Sequence, residues 1–172
     1  MNPKNIHHET LIRTTPEQMW KVLSQYGNVS RFHGGVVESH AETGSENTAS
    51  PGCERVCHIV DMGLKITLKE RITDYEEGRS YKYEVYEWKN FPVREMSFTF
   101  TILDSTSDHT RLAIDINYLA KPALLTPLLV PKMKGLARDV LLGYKHYVET
   151  GERRVPIGTL KKHYRNQQPA TA

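Results

Sequence analysis

With 172 residues and a mass of 19.7 kDa, the chain has the length of one domain, which buries about two thirds of its unfolded surface and needs no disulfides to fold. Hydrophobic residues at 38% and charged residues at 25% exclude a disordered chain, a collagen and a coiled coil. The net charge of +3 belongs to the end of the chain: residues 151–172 carry five Lys/Arg against Glu152, a net +4, while residues 1–150 carry 18 basic against 19 acidic residues. A nucleic-acid partner is therefore disfavoured.

In chain order, Asn5 to Arg13 is rich in strand formers and is stopped by Thr14-Thr15-Pro16. A helix should start there. Thr15 can cap it, Pro16 suits the first helical position, and Gln18 has capping-box spacing ahead of Met19, Trp20, Val22 and Leu23. It ends before Gly27, Asn28 to Phe32 adds a second short turn, and His33-Gly34-Gly35 breaks the chain before a strand at Val36 to Ala41. From there to Leu119, strand-length runs alternate with turn residues at 50–52, 62–63, 76–78, 89–92 and 105–109, the pattern of an antiparallel meander. Alternation is clearest in Leu64, Ile66, Leu68, Glu70 and Ile72, and again in Met96, Phe98, Phe100 and Ile102, so one face of the sheet is buried and the other is wet.

Pro122, Pro127 and Pro131 forbid a continuous helix through KPALLTPLLVPKMKG. Beyond them Met133, Leu136, Ala137, Val140, Leu141, Tyr144, Tyr147 and Val148 recur at three and four, predicting one helix from about Lys132 to Thr150, stopped at Gly151. Residues 1–151 form the domain on this reading, and 152–172 are a basic, poorly ordered tail dispensable for folding.

Several chemistries find no foothold. Cys53 and Cys57 fall on one face of a strand about 13 Å apart, too far for a disulfide or a shared zinc. With no His-x3-His or Cys-x2-Cys spacing, no metal is expected, and no Gly-rich phosphate loop or G-x-S-x-G elbow supports a nucleotide enzyme or a serine hydrolase. No cofactor is implied. The polar start MNPKNIHHET and the lack of any apolar run of roughly 20 residues point to a cytoplasmic protein.

A curved sheet with one apolar face must be covered, and the C-terminal helix is the element long enough to do it. A curved surface and a straight cylinder leave a space between them, the expected ligand site. Its lining is expected from the sheet at Leu64, Ile66, Leu68, Tyr81, Tyr83, Phe91, Met96, Phe98, Phe100 and Tyr118. The helix adds Met133, Leu136, Val140 and Tyr144. Glu70 shares the phase of Leu68 and Ile72, which sends a carboxylate inward: either a general acid or base, or a buried partner for Arg55 or Tyr83. His58 alternates with Val56, Val60 and Met62, facing inward as a proton-transfer partner in one phase of the strand and partly exposed in the other. Tyr81, Tyr83 and Tyr118 can orient a ligand through their hydroxyls or serve as plain core.

The order of elements resembles the START/Bet v 1-like (SRPBCC) superfamily and, within it, the polyketide cyclase/dehydrase-like group. The resemblance is carried by Ile12, Pro16 and Trp20; Pro51-Gly52 with Arg55; Gly63 before Leu64-x-Ile66; Glu70-Arg71 and Asp74; Tyr81-x-Tyr83; Phe91-Pro92-Val93; and Gly143 ahead of Val148-Glu149-x-Gly151. It implies an α+β helix-grip fold: about seven antiparallel strands curved around a long C-terminal helix, with two short helices after the first strand. It also implies a hydrophobic or amphipathic small-molecule ligand, lipid, polyketide or quinone-like. The alternatives are a cyclase or dehydratase using Glu70, with His58 or a tyrosine, in acid–base chemistry without cofactor, and an interaction module with a ribosomal, quinone or membrane partner. Loops Asp61 to Lys65 and Lys89 to Arg94 would form a gate at one rim, and Leu124 to Val130 would cover the mouth and make a transient membrane contact.

Overall fold

The computed structural model describes residues 2–165. A strand β1 (Lys4–Ile12) leads to helix α1 (Pro16–Leu23) and a 3-10 segment (Tyr26–Arg31). There follow β2 (Val36–Thr43), β3 (Glu54–Asp61), β4 (Leu64–Glu76), β5 (Ser80–Lys89), β6 (Val93–Ser105) and β7 (Thr110–Ala120). A second 3-10 segment (Ala123–Leu129) then enters the long helix α2 (Val130–Thr150), and α3 (Ile157–Arg165) ends the described chain.

The local signals act where the sequence places them. Thr15 Oγ1 accepts from the Gln18 amide at 3.3 Å, capping α1 with Pro16 in its first turn. Met62 and Gly63, with φ of 50° and 81°, make the tight β3–β4 turn, whose twist needs positive φ at both positions. Gly151, at φ 78°, ends α2 and donates its amide to the Tyr147 carbonyl at 2.8 Å.

The seven strands form one antiparallel sheet in the order β1-β7-β6-β5-β4-β3-β2, so the meander β2 to β7 is closed by β1 on β7. Register shifts at Lys69/Glu70 and Ile72/Asp74 interrupt the β4–β5 ladder, and irregularities of this kind bend and twist a sheet. The inner face carries Ile66, Leu68, Ile72, Met96, Phe98, Phe100, Ile114 and Ile116, all buried, in one hydrophobic core with the stripe of Met133, Ala137, Val140, Leu141 and Tyr144 on α2. Pro131 lies in the first turn of α2, where its missing amide hydrogen forfeits no helical bond, so α2 begins two residues before the expected start. Gly143 is where α2 crosses the chain after α1: a Cβ there would lie 2.3 Å from the Phe32 carbonyl oxygen and 3.6 Å from the His33 Cα.

The expected tail is corrected through residue 165. Ile157, Leu160 and Tyr164 form a short apolar stripe at spacings of three and four, with Leu160 buried at 2% exposure. Around that stripe the Arg154 amide donates to the Arg31 carbonyl at 3.0 Å, Lys161 pairs with Asp139 on α2 at 2.9 Å, and His146 meets Glu152 at 2.8 Å. Residues 166–172 lie outside the described residues. Burying a leucine is worth about 2 kcal/mol, and about 2–4 °C accompanies each kcal/mol in a domain of this size. Truncation after Gly151 should therefore lower the melting temperature by about 4–8 °C in scanning calorimetry. An unchanged midpoint would show that α3 adds nothing to the fold.

Candidate functional site

Between the inner face and α2 lies a cavity of about 390 Å³. Ile66, Leu68, Phe98, Phe100 and Met96 line it from the sheet, and Met133, Leu136 and Val140 from α2. β5 and β6 pair from Ser80↔Thr101 to Glu84↔Ser97, and Met96 reaches the cavity from the stretch beyond that ladder. The rim includes Val60 and Asp61 at the end of β3, Phe91 between β5 and β6, Lys132 and Gly135 on α2, and Ile157 of α3.

Two charged residues on the wall sit deep in the fold. Arg55 and Glu70 are directly opposed on β3 and β4, 2% and 3% exposed, and the Arg55 Nε donates to Glu70 Oε2. A second guanidinium nitrogen donates to the Tyr26 carbonyl at 2.8 Å, and the guanidinium carbon lies 4.1 Å from the Tyr26 ring centroid and 4.6 Å from that of Tyr83. Burial opposes the charge on Arg55, but the Glu70 carboxylate outweighs it and pushes the guanidinium pKa up, so the arginine stays protonated. Cys57 lies 3.7 Å from Glu70 Oε2, and burial, reinforced by that carboxylate, pushes its thiol up and keeps it protonated. Both cysteines are free and buried.

The inward placement of Glu70 follows the alternation of β4, and its partner is the Arg55 named from sequence. His58 does not join it. Cys57 and Ile59 take the cavity side of β3, which turns His58 to the other face, where its Nδ1 lies 3.2 Å from Thr67 Oγ1. Of the two phases open for His58 the structure takes the partly exposed one, so its role as the inward proton-transfer partner is corrected: Val56 and Cys57 are both buried, and β3 has no single apolar face from which its phase could be read.

Of the residues named for the lining, Ile66, Leu68, Tyr83, Phe91, Met96, Phe98, Phe100, Met133, Leu136 and Val140 lie on the cavity wall. Leu64, 49% exposed, lies instead in a neighbouring recess with Met62 and Leu129, where Asp61, Phe91, Lys132 and Met133 line both spaces. Lys132 pairs with Asp61 across this rim. Tyr81, Tyr118 and Tyr144 are core rather than lining. Tyr81 donates to the Leu23 carbonyl at 3.1 Å and Tyr118 to the Thr126 carbonyl at 2.9 Å, while Tyr144 packs edge-on against Phe100 with centroids 5.4 Å apart.

Two polar lining residues escaped the sequence reading. His33 is 8% exposed, its Nδ1 accepts from the Gly35 amide at 3.0 Å, and desolvation by burial lowers its pKa to about 4. Asp139, on α2 beside Val140, also lines the wall. The H-G-G break showed only a turn, and a polar residue beside a helical stripe carries no mark of facing a cavity.

Among curated proteins none matches the sequence. Solved structures with the same architecture include Ara h 8.0201, at TM-score 0.68 and 14% identity over 85% of this chain and 97% of that one. Another is the Zhui aromatase/cyclase from a Streptomyces species, at 0.67 and 14% over 87% and 98%. A START superfamily protein from Mycobacterium smegmatis aligns at 0.62 and 11% over 79% and 93%. These likenesses show the helix-grip fold. The family model described as polyketide cyclase / dehydrase and lipid transport matches residues 4–149, nearly the whole span of sheet and gripping helix, and the chain belongs to that family.

Proposed function

We propose that the protein is a binding protein for a hydrophobic or amphipathic small molecule held between the sheet and α2. The observation that carries this reading is the 390 Å³ cavity, within the range of small-molecule sites, whose walls are largely apolar and whose deep charges answer each other. The family description, which joins polyketide cyclases with lipid transport, supports it. Native mass spectrometry of protein purified from its own host tests it. A co-purified small molecule released on denaturation is expected, and uniformly empty protein that also fails to take up hydrophobic probes would overturn it.

The rival reading, a cyclase or dehydratase using Glu70 with His58 or a tyrosine, loses His58 and keeps only Tyr83 of the named tyrosines on the cavity wall. It also requires proton transfer from a carboxylate already engaged by Arg55. On the carrier reading Glu70→Gln leaves a guanidinium buried without its counter-charge and should cost about 3–5 kcal/mol of stability in urea unfolding. Replacing both partners with apolar residues, Arg55→Met with Glu70→Leu, should cost clearly less, because no charge is then left unpaired. A Glu70→Gln protein of undiminished stability that has lost turnover of a candidate polyketide would favour the enzyme.

No helix among the described residues is long and apolar enough to cross a membrane. Exposed apolar groups at the β3–β4 turn and in the second 3-10 segment are nevertheless open to a lipid surface. Met62 is 97% exposed, Leu124 66% and Leu128 72%, and lysines 65, 121 and 134 are exposed beside them in the chain. Leu129 turns inward to the recess it shares with Met62 and Leu64. A transient contact with anionic lipid at this end would let a ligand pass between bilayer and cavity. Vesicles containing phosphatidylglycerol should carry the wild type in flotation, and Leu124→Asp with Leu128→Asp should abolish it. Wild type that stays in the unbound fraction would refute the contact.

A further inference from the structure

Among the described residues, three buried side-chain polar atoms have no hydrogen-bond partner: the Tyr26 hydroxyl, His33 Nε2 and Asp139 Oδ1. Two of the three belong to residues of the cavity wall. The backbone explains why they share one part of it. Phe32 and His33 cross α2 at Gly143, and Asp139 lies one helical turn before Gly143 on the same side. On the far side of that crossing, residues 154–155 press on the same segment: a Cβ on Gly34 would lie 2.5 Å from the Val155 carbonyl oxygen. His33 is thus clamped between α2 and the chain entering α3.

The polarity of each atom is fixed by what its neighbour does. The Gly35 amide can only donate, so His33 Nδ1 is an acceptor and the proton of the neutral ring sits on Nε2. The lowered pKa keeps the ring neutral near pH 7. Asp139 gives Oδ2 to Lys161 at 2.9 Å, while the Arg138 Nε, at 3.9 Å from Oδ1, is too far for a hydrogen bond. Two residues of the wall therefore carry one unused donor and one unused acceptor, both shielded from solvent, and buried polar groups in that condition are costly unless a partner arrives.

We propose that His33 and Asp139 form a polar subsite for a neutral hydroxyl group, alcohol or phenol, on the ligand, which accepts from Nε2–H and donates to Oδ1. This rests on the carrier reading and narrows it. An anionic group would meet the Asp139 carboxylate, a cationic one would face the His33 N–H, and an ether or ketone could satisfy the donor but not the acceptor. A hydroxyl alone among these simple groups answers both, and a site built to bond a hydroxyl discriminates strongly against a ligand that lacks one.

The test uses two probes of nearly equal shape, 2-naphthol and 2-methoxynaphthalene, titrated against the full chain by fluorescence. Wild type should bind the naphthol about tenfold more tightly. Asp139→Ala should cut that preference to about twofold or less while leaving the affinity for the methyl ether unchanged, and His33→Phe should weaken both probes, because the oxygen of each accepts from Nε2–H. In Asp139→Ala the ether thus reports that the cavity is intact, and if His33→Phe fails to fold, Asp139→Ala decides. Equal affinities in wild type, a preference that survives Asp139→Ala, or probe affinities untouched by His33→Phe would overturn the subsite and leave the cavity reading standing. Failure of both probes to bind wild type at about 1 mM would overturn the cavity reading and the subsite together.

Discussion

A guanidinium can be taken out of water only if its charge and its donors are answered, and in this fold Arg55 sets that condition for everything around it. Glu70 must stand directly across the β3–β4 ladder, and a slip of one residue would turn either side chain to the solvent face. Tyr26 must bring its carbonyl to 2.8 Å and its ring beneath the guanidinium, which fixes the 3-10 segment that follows α1. From that segment the chain continues through Phe32 and His33 across α2 at Gly143. One ion pair thus ties together the register of two strands, the position of the first 3-10 segment and the approach of α2, and these surfaces bound the cavity.

How far the sequence foretold this depends on whether a residue's environment leaves a periodic trace. β4 and β6 each have one wet and one dry face, so their alternation identified the inner face and sent Glu70 to the correct side. β3 lacks that contrast, because Val56 and Cys57 are both buried, and the phase of His58 could not be settled by counting. Leu64 kept the right phase but lies at the strand end beside the turn, where facing inward no longer means being covered. The hydroxyls of Tyr81 and Tyr118 found backbone carbonyls, a pairing fixed by tertiary packing alone.

The docked helix after Gly151 shows a different failure. Its apolar stripe is only Ile157, Leu160 and Tyr164, set among Lys161, Lys162 and Arg165. Composition registers such a segment as basic and solvated, although one buried leucine and a few specific bonds suffice to hold nine residues in place when a hydrophobic surface is waiting. Net charge measured the outer face of the helix and missed the inner one.

That helix also changes what the cavity is. Without it Asp139 would lose the Lys161 ammonium, and the chain from Arg31 to Gly34 would lose the backbone that presses on its outer side. Ile157 would no longer close the wall beside His33. With it, the unused hydrogen-bonding capacity of the wall residues lies on the side where α2, the His33 segment and α3 meet, while Phe98 and Phe100 give the cavity an aromatic, apolar surface. A ligand with one polar end has a single orientation that meets both surfaces. Reversal would strand its polar group against phenyl rings and leave the histidine and the aspartate unanswered, at a cost of the same order as the hydrogen bonds forgone. On the subsite proposed here, orientation, more than cavity size, would separate a ligand from any other hydrophobic molecule small enough to enter.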